Sequence, residues 1–517
     1  VAALADRGVP GAVTDVIRAC WVADAARGPP MAAVAAALAV ADADGPAAAP
    51  PPALPPVPAL GPAAETSPPD TSSSVVVIGE LTAAVTARDK AGVMAALAAI
   101  ASVESDDHRV HCVQGGAAVA VAGALTAFSG ELEVVVCGCG ALCNLAAAAE
   151  AQVQLVRDGA HAAVVAAAGA HSGDVAVARA TCATLQGLAW AVKNRVPMVH
   201  DGVHTALTET MQAHAGDVEV ARAACCTMQN LSFVDDNVVT LVRDRAHVAV
   251  MEAARVHNSD VEVVRDACNA LWDLTGTIGN CVPLVRDGAH TAVMAAAQTH
   301  NGSLEVARAA CGALWNLAVD ADSCVSLVHA GAHATVIAAA QDHRNDVVVA
   351  RGACGVLQNL TYDNKVPLVR DGAHTVVISL AHAHGGDLYV ARAACGALRN
   401  LAAVADNCLL LMRSGAHTTV MAAARAHAGD VNVARYACAC LNHMAAAADN
   451  KVPLVRESAH TAVMAAARTH AGNVEVVRSV CGALQNLSVE ADIRVQLVCD
   501  GAHTAVMAAA RAHAGDV

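Results

Sequence analysis

One period governs this chain. His161, His204, His247, His290, His333, His374, His417, His460 and His503 follow one another at intervals of 43 residues, with one interval of 41 between His333 and His374. A second histidine lies ten residues after each: His171, His214, His257, His300, His343, His384, His427, His470 and His513. Cys139, Cys182, Cys225, Cys268, Cys311, Cys354, Cys395, Cys438 and Cys481 keep the same beat. So do Arg179, Arg222, Arg265, Arg308, Arg351, Arg392, Arg435 and Arg478. Four ladders on one period mean repetition of a single supersecondary unit. Such a unit cannot bury its apolar face alone, so the units stack. The two missing residues fall between Asn359 and His374, in a connection, where a deletion disturbs the core least.

One unit reads from Cys281 onward. Val282 to Asp287 predicts a short first helix, with Pro283 in its first turn, where the missing N–H is harmless. Gly288 breaks it. A second helix is expected over about His290–His300, with Val293, Met294 and Ala297 at helical spacing. Asn301, Gly302 and Ser303 form a loop, and Ser303 supplies a cap, a place taken by Asp217 and its like elsewhere. A third helix is expected over about Leu304–Val319, burying Val306, Ala310, Ala313, Leu314 and Leu317.

A short helix, a glycine break and two longer helices in about 42 residues resemble the armadillo repeat. The run Cys311-Gly312-Ala313-Leu314-Trp315-Asn316-Leu317-Ala318 is similar to that family's signature, which closes its third helix on Leu-x-Asn-Leu. The resemblance covers residues 109–517 as nine full repeats and a truncated tenth, with 75–108 as a degenerate leading repeat. It implies an all-α fold, a right-handed α-solenoid (superhelix) of three-helix repeats of about 43 residues. The HEAT repeat, which lacks the short first helix, is the alternative. The motif does not choose among importin-α-like, catenin-like and vacuolar-scaffold-like members. Residues 1–44 contain helix-like pieces, and 45–74, rich in Pro with Ser and Thr, read as a stiff, disordered linker. The chain opens on Val1 and stops at Val517 as a third helix should begin, so it reads as a fragment of a longer protein. Self-association through the uncapped C-terminal end is the expected consequence of an exposed apolar face.

Composition narrows the function. A formal net charge of −15 argues against a nucleic-acid binder. No apolar run reaches the ~18 to 20 residues of a spanning helix. Of 19 cysteines, nine fall at one helix position, which reads as reduced thiols of the cytoplasm or nucleus rather than disulfides. No phosphate-binding loop, nucleophile elbow or isolated acid pair interrupts the repetition, so neither an enzyme nor a cofactor is expected. Histidines ten apart on one helix point about 280° apart. Equivalent ones in adjacent repeats are ~10 Å apart, whereas zinc–nitrogen bonds are ~2 Å. Structural use of the histidines is expected, not a metal.

The resemblance further implies that third helices line a concave groove for extended peptides, gripped by a ladder of asparagines. That position holds Asn144, Asn230, Asn316, Asn359, Asn400 and Asn486, with Gly187, Asp273 and His443 in three repeats. An amide donates and accepts, so it can pair with a peptide group of any sequence. The tryptophan that importin-α-like units carry one turn earlier is missing; Gly312, Gly355 and Gly396 stand there. Two turns before the asparagines runs the arginine ladder, Arg179 to Arg478. It reads either as a basic stripe for carboxylates or phosphoryl groups or as local ion pairs such as Arg308 with Glu305. The expected function is a non-catalytic protein–protein interaction scaffold for extended, acidic peptide segments. A nuclear-transport-type adaptor, or the accessory array of a multidomain protein such as a ubiquitin ligase, is the alternative.

Overall fold

The computed structural model describes residues 71–512, apart from residues 320, 362, 363 and 490. The described residues form 31 helices and no strand. Segment 1–44 and nearly all of 45–74 lie outside them. The first described helix, Thr71–Ala87, begins inside the stretch read as a linker.

Each repeat is a helix triad written by its termini. In one, the helices are Val192–His200, Val203–Ala213 and Val218–Ser232. Gly202, at φ 80°, turns the first helix into the second. Equivalent turns hold Arg245 at φ 62° and Ser458 at φ 66°, left-handed conformations that disfavour a Cβ. Asp217 caps the third helix by accepting from the Val220 N–H at 3.0 Å. Around Cys281 the first helix runs Ile278–Arg286, earlier than Val282, so Pro283 sits in its interior rather than its first turn. The lost N–H leaves the Gly279 carbonyl without its helical donor, and Gly279 is exposed, so water can take its place. The other helices of that repeat, Ala289–Thr299 and Leu304–Leu317, agree with the expected ones within two residues, and Ser303 caps as expected.

The described residues divide into two units, 71–292 and 293–512. In the first, the third helices Lys90–Ala101, Leu132–Ala146, Val175–Ala189, Val218–Ser232 and Val261–Thr275 pack each on the next. In the second, Leu304–Leu317, Val347–Leu360, Leu388–Ala402, Val431–Ala446 and Val474–Leu487 do the same. Each unit is an all-α solenoid, its second helices stacked on one side and its first helices on another. Buried Ala, Val, Leu and Cys fill the layers. No single described helix is long and apolar enough to cross a membrane; two bent pairs, Asp106–Gln114 with Ala117–Ala127 and Ala321–Ala330 with Ala332–Asp342, meet the length and composition together.

Three polar ladders staple neighbouring repeats. The first escaped the sequence reading although it keeps the period: Asn194, Asn237, Asn280, Asn407 and Asn450, all buried on first helices. Each amide donates to both the first and the third helix of the preceding repeat. Asn194 Nδ2 lies 2.9 Å from the Gln152 carbonyl and 2.8 Å from that of Leu188. Asn450 Nδ2 lies 3.2 Å from Cys408 O and 3.1 Å from Met444 O. The second ladder is the histidine at the end of each second helix. Its Nε2–H donates to a loop carbonyl of the preceding repeat, as from His214 to Ser172 at 2.9 Å and from His427 to Gly385 at 2.9 Å. In the third, the buried ring at the start of the second helix meets an acid of the following repeat: His161 with Asp201 at 2.8 Å, His204 with Asp244 at 3.1 Å, His247 with Asp287 at 3.0 Å, His417 with Glu457 at 2.6 Å and His460 with Asp500 at 2.9 Å. Burial nevertheless pulls His247 below the usual imidazole range, against the pull of Asp287.

Two outcomes test these staples. Asn450→Ala strips a donor from two buried carbonyls and should cost about 2 kcal/mol, read as a lower urea midpoint. His374 has Ser414 where His161, His204, His247, His417 and His460 find an acid. Burial lowers its pKa, so the folded ring takes up a proton at lower pH than the unfolded one, whose ordinary value is near 6.5. Stability is therefore lost as pH falls through 6.5. Ser414→Asp should return about 1 kcal/mol at pH 5.5 and little at pH 8, and the gain should vanish in the His374→Leu background.

Candidate ligand-binding face

The arginine ladder lies on the third helices and is engaged between repeats. Arg179 forks onto Asp217 at 2.5 Å, Arg222 onto Asp260 at 2.6 Å, Arg308 onto Asp346 at 2.5 Å and Arg351 onto Asp387 at 2.7 Å. Arg392 holds Asp430 in the same way. Each of these aspartates caps the third helix of the next repeat, so one carboxylate serves two backbone or guanidinium donors at once. Burial alone would push the Asp430 carboxyl up; the Arg392 guanidinium and the Val433 N–H outweigh it and hold the acid below the usual range. Arg308 thus reaches 38 residues forward to Asp346, and the Glu305 charge three residues back adds to the pull on it. Arg265 lies 2.7 Å from Asp266, and Arg478 lies 3.1 Å from Glu475. Arg435 stands apart, contacting Asn432 and the Tyr436 hydroxyl.

The asparagines lie on the same helices, with unequal capacity left over. Asn144 donates to the Ile100 and Val103 carbonyls at 3.1 and 2.9 Å and accepts from Arg109. Asn400 donates to Gln358 O and Thr361 Oγ1 and accepts from Arg399. Both amides are saturated. Asn486 uses its Nδ2 on Asn442, keeping its oxygen. Asn230 accepts from Arg195 at 3.0 Å, and its Nδ2 has only the Cys226 sulfur at 3.8 Å. Asn316 is buried and Asn359 half-buried. His443, in the same register, faces the Arg399 carbonyl at 3.3 Å, and burial lowers its pKa.

The residue just before each ladder asparagine differs from repeat to repeat. In the first unit these residues are Cys143, Gln186, Gln229 and Trp272; in the second they are Trp315, Gln358, Arg399, Asn442 and Gln485. They lie across the neighbouring helix. A Cβ on Gly355 would come 2.5 Å from Trp315 Cε2, one on Gly396 2.6 Å from Gln358 Nε2, and one on Gly482 2.8 Å from Asn442 Nδ2. Glycine stands at these positions because the preceding repeat's side chain fills the space a larger residue would need. Gln358, Arg399 and Asn442 remain half-exposed and Gln485 exposed, so this row offers amides and a guanidinium to solvent. Its signal in the sequence is a position that shares the periodic face while its identity varies.

Two residue classes are spent on structure. The ladder cysteines are buried except the half-buried Cys481, and burial pushes thiols such as Cys311 up to about 12, so they stay protonated. Among the described residues no group of three or more His, Cys, Asp or Glu could hold a metal ion.

The family described as LRRK2 ARM repeat matches residues 120–281. The fold is similar to the crystal structure of an engineered protein at TM-score 0.64 and 20% identity, covering 80% of this chain and 99% of the other. It is also similar to a chain from work on a conserved phosphorylation switch that controls the interaction between cadherin and β-catenin, at TM-score 0.54 and 15% identity, covering 92% and 98%. No curated protein matches the sequence.

Asp273 occupies the asparagine register, and burial pushes its carboxyl up to about 7, with Ser232 and the Arg195 charge pulling it back. A raised folded pKa contributes stability below the unfolded value of 3.8 and loses it as pH rises through about 7. Asp273→Asn should therefore stabilise the protein above pH 7, by on the order of 2 kcal/mol, with the advantage shrinking toward pH 5 in urea titrations.

Proposed function

Because the chain is an armadillo-type repeat protein, we propose that it is a non-catalytic scaffold that holds extended segments of other proteins along its third-helix faces. The observation that carries this reading is the variable row. The periodic polar groups are largely consumed in joining repeats, whereas Gln358, Arg399, Asn442 and Gln485 recur on one face of one unit with polar ends still accessible. Amides spaced by one repeat, ~10 Å, match every third residue of an extended chain at ~3.3 Å per residue. Asn486, with its oxygen spare, joins this face, and Arg399 and Arg435, which bond no carboxylate among the described residues, give it positive charge on an acidic protein. The segments held are acidic ones. An absent tryptophan row removes the slots that an importin-α-like adaptor offers to basic side chains. Buried, unpaired thiols go with a reducing setting, cytoplasmic or nuclear.

The test is a displayed library of random ten-residue peptides selected on the full chain. Enriched peptides should bind at least about tenfold more weakly to the Gln358→Ala, Asn442→Ala, Gln485→Ala triple variant. They should bind normally to Val452→Ser, on a first helix. Equal binding to the triple variant would reject the reading.

A further inference from the structure

We propose that Arg399, Arg435 and Tyr436 form an anchor for a doubly negative group on a bound peptide, either a phosphorylated side chain or two adjacent carboxylates. This rests on the peptide-holding reading above. It begins with a gap in the arginine ladder. Arg392 finds Asp430 38 residues on, whereas Arg435 finds Asn473 at that spacing. Asn473 keeps the capping task, accepting from the Val476 N–H at 3.0 Å, but brings no charge. Arg435 is left with the neutral Asn432 at 3.3 Å and the Tyr436 hydroxyl at 3.1 Å, and its Nε is buried without a hydrogen-bond partner.

A second guanidinium arrives from the variable row. Arg399 bonds the Asn400 oxygen through Nε and Nη2 and has no carboxylate among the described residues. Both arginines stack on one ring: Arg399 lies 5.1 Å and Arg435 4.8 Å from the Tyr436 centroid. The acids of the flanking helices are taken, Asp387 by Arg351, Asp430 by Arg392 and Glu475 by Arg478. His443, beside them on its own helix, has its pKa lowered by burial. Two uncompensated, half-buried guanidiniums around one phenol thus await about two negative charges. A phosphoryl group carries −1.5 to −2 and three acceptor oxygens, roughly the complement. Two neighbouring carboxylates supply the same charge to the same forks. Asn442 and Gln485, on the same helix and the next, stand where the peptide backbone would continue.

The experiment uses degenerate ten-residue peptide pools with a fixed centre: phosphoserine, Glu-Glu, or neutral Ser-Gln. Fluorescence anisotropy measures binding to the full chain, to Arg399→Gln/Arg435→Gln and to Asn473→Asp. The last gives Arg435 the partner that Arg392 has, so it should neutralise Arg435 without unfolding the protein, and its melting temperature should stay level or rise. At least one anionic pool should bind the parent about tenfold or more tightly than the neutral pool, and that gap should close in both variants. Which anionic pool wins identifies the source of the charge. Anionic pools that bind no better than the neutral one, or a gap that survives Asn473→Asp, would overturn the anchor. If the neutral pool then still binds the parent and not the Gln358, Asn442, Gln485 triple variant, the peptide face stands and the anchor alone fails. If no pool binds the parent, both fall.

Discussion

Everything in these units depends on each repeat satisfying the polar groups of the next. A stack of Ala- and Val-rich helices buries little area per side chain, so its layers must approach closely, and close approach leaves no water to pair with stranded carbonyls. The chain answers with fixed offsets. An arginine reaches the cap 38 residues on, a ring meets an acid 40 residues on, and a histidine or asparagine donates to a carbonyl 42 residues back. These bonds favour one register of stacking over its neighbours, because a helix shifted by one residue would break them all together.

The deletion shows how strictly the offsets are tied to the stack. Across the two missing residues, Arg351 finds Asp387 after 36 residues rather than 38. His384 finds its carbonyl 40 residues back rather than 42. The partners are the same in kind, and only the count of intervening residues has changed. The shortening is absorbed in the first helix, which here runs only Lys365–Arg370. A short, exposed first helix is the part of the triad least involved in layer-to-layer packing, so it yields before the second or third does.

Much of this was legible in the sequence. Ser303, Asp217, Gly288 and the apolar stripe from Val306 to Leu317 announce helix ends and a buried face through local chemistry alone. Pro283 misled because its ring marks a helix start only when nothing upstream is already helical, and Asn280 and Cys281 are held helical by packing that no local rule contains. The roles of the ladders were harder to read. Arg308 has an acid three residues back and another 38 residues on, and only the stacking geometry says which one it touches. The Asn194 series keeps the histidines' period with a break at Ser323, but without the third dimension an asparagine on a first helix looks like surface.

That distinction bears on where function sits in a repetitive chain. A residue repeated in every unit meets the demand that every unit shares, which is to bind its neighbour. Recognition of one partner and not another needs positions on the common face that are free to differ. Arg399 is such a position, and Asn473 is a departure within a ladder that otherwise serves stacking. Structure alone would favour aspartate at 473, since it would cap the helix as well and pair Arg435 besides, as Asp430 does for Arg392. The stacked Tyr436 ring offsets part of the cost of leaving that charge half-buried, by about 0.5–2 kcal/mol. It does so without neutralising the charge, which leaves the guanidinium held in place and still able to take an anion.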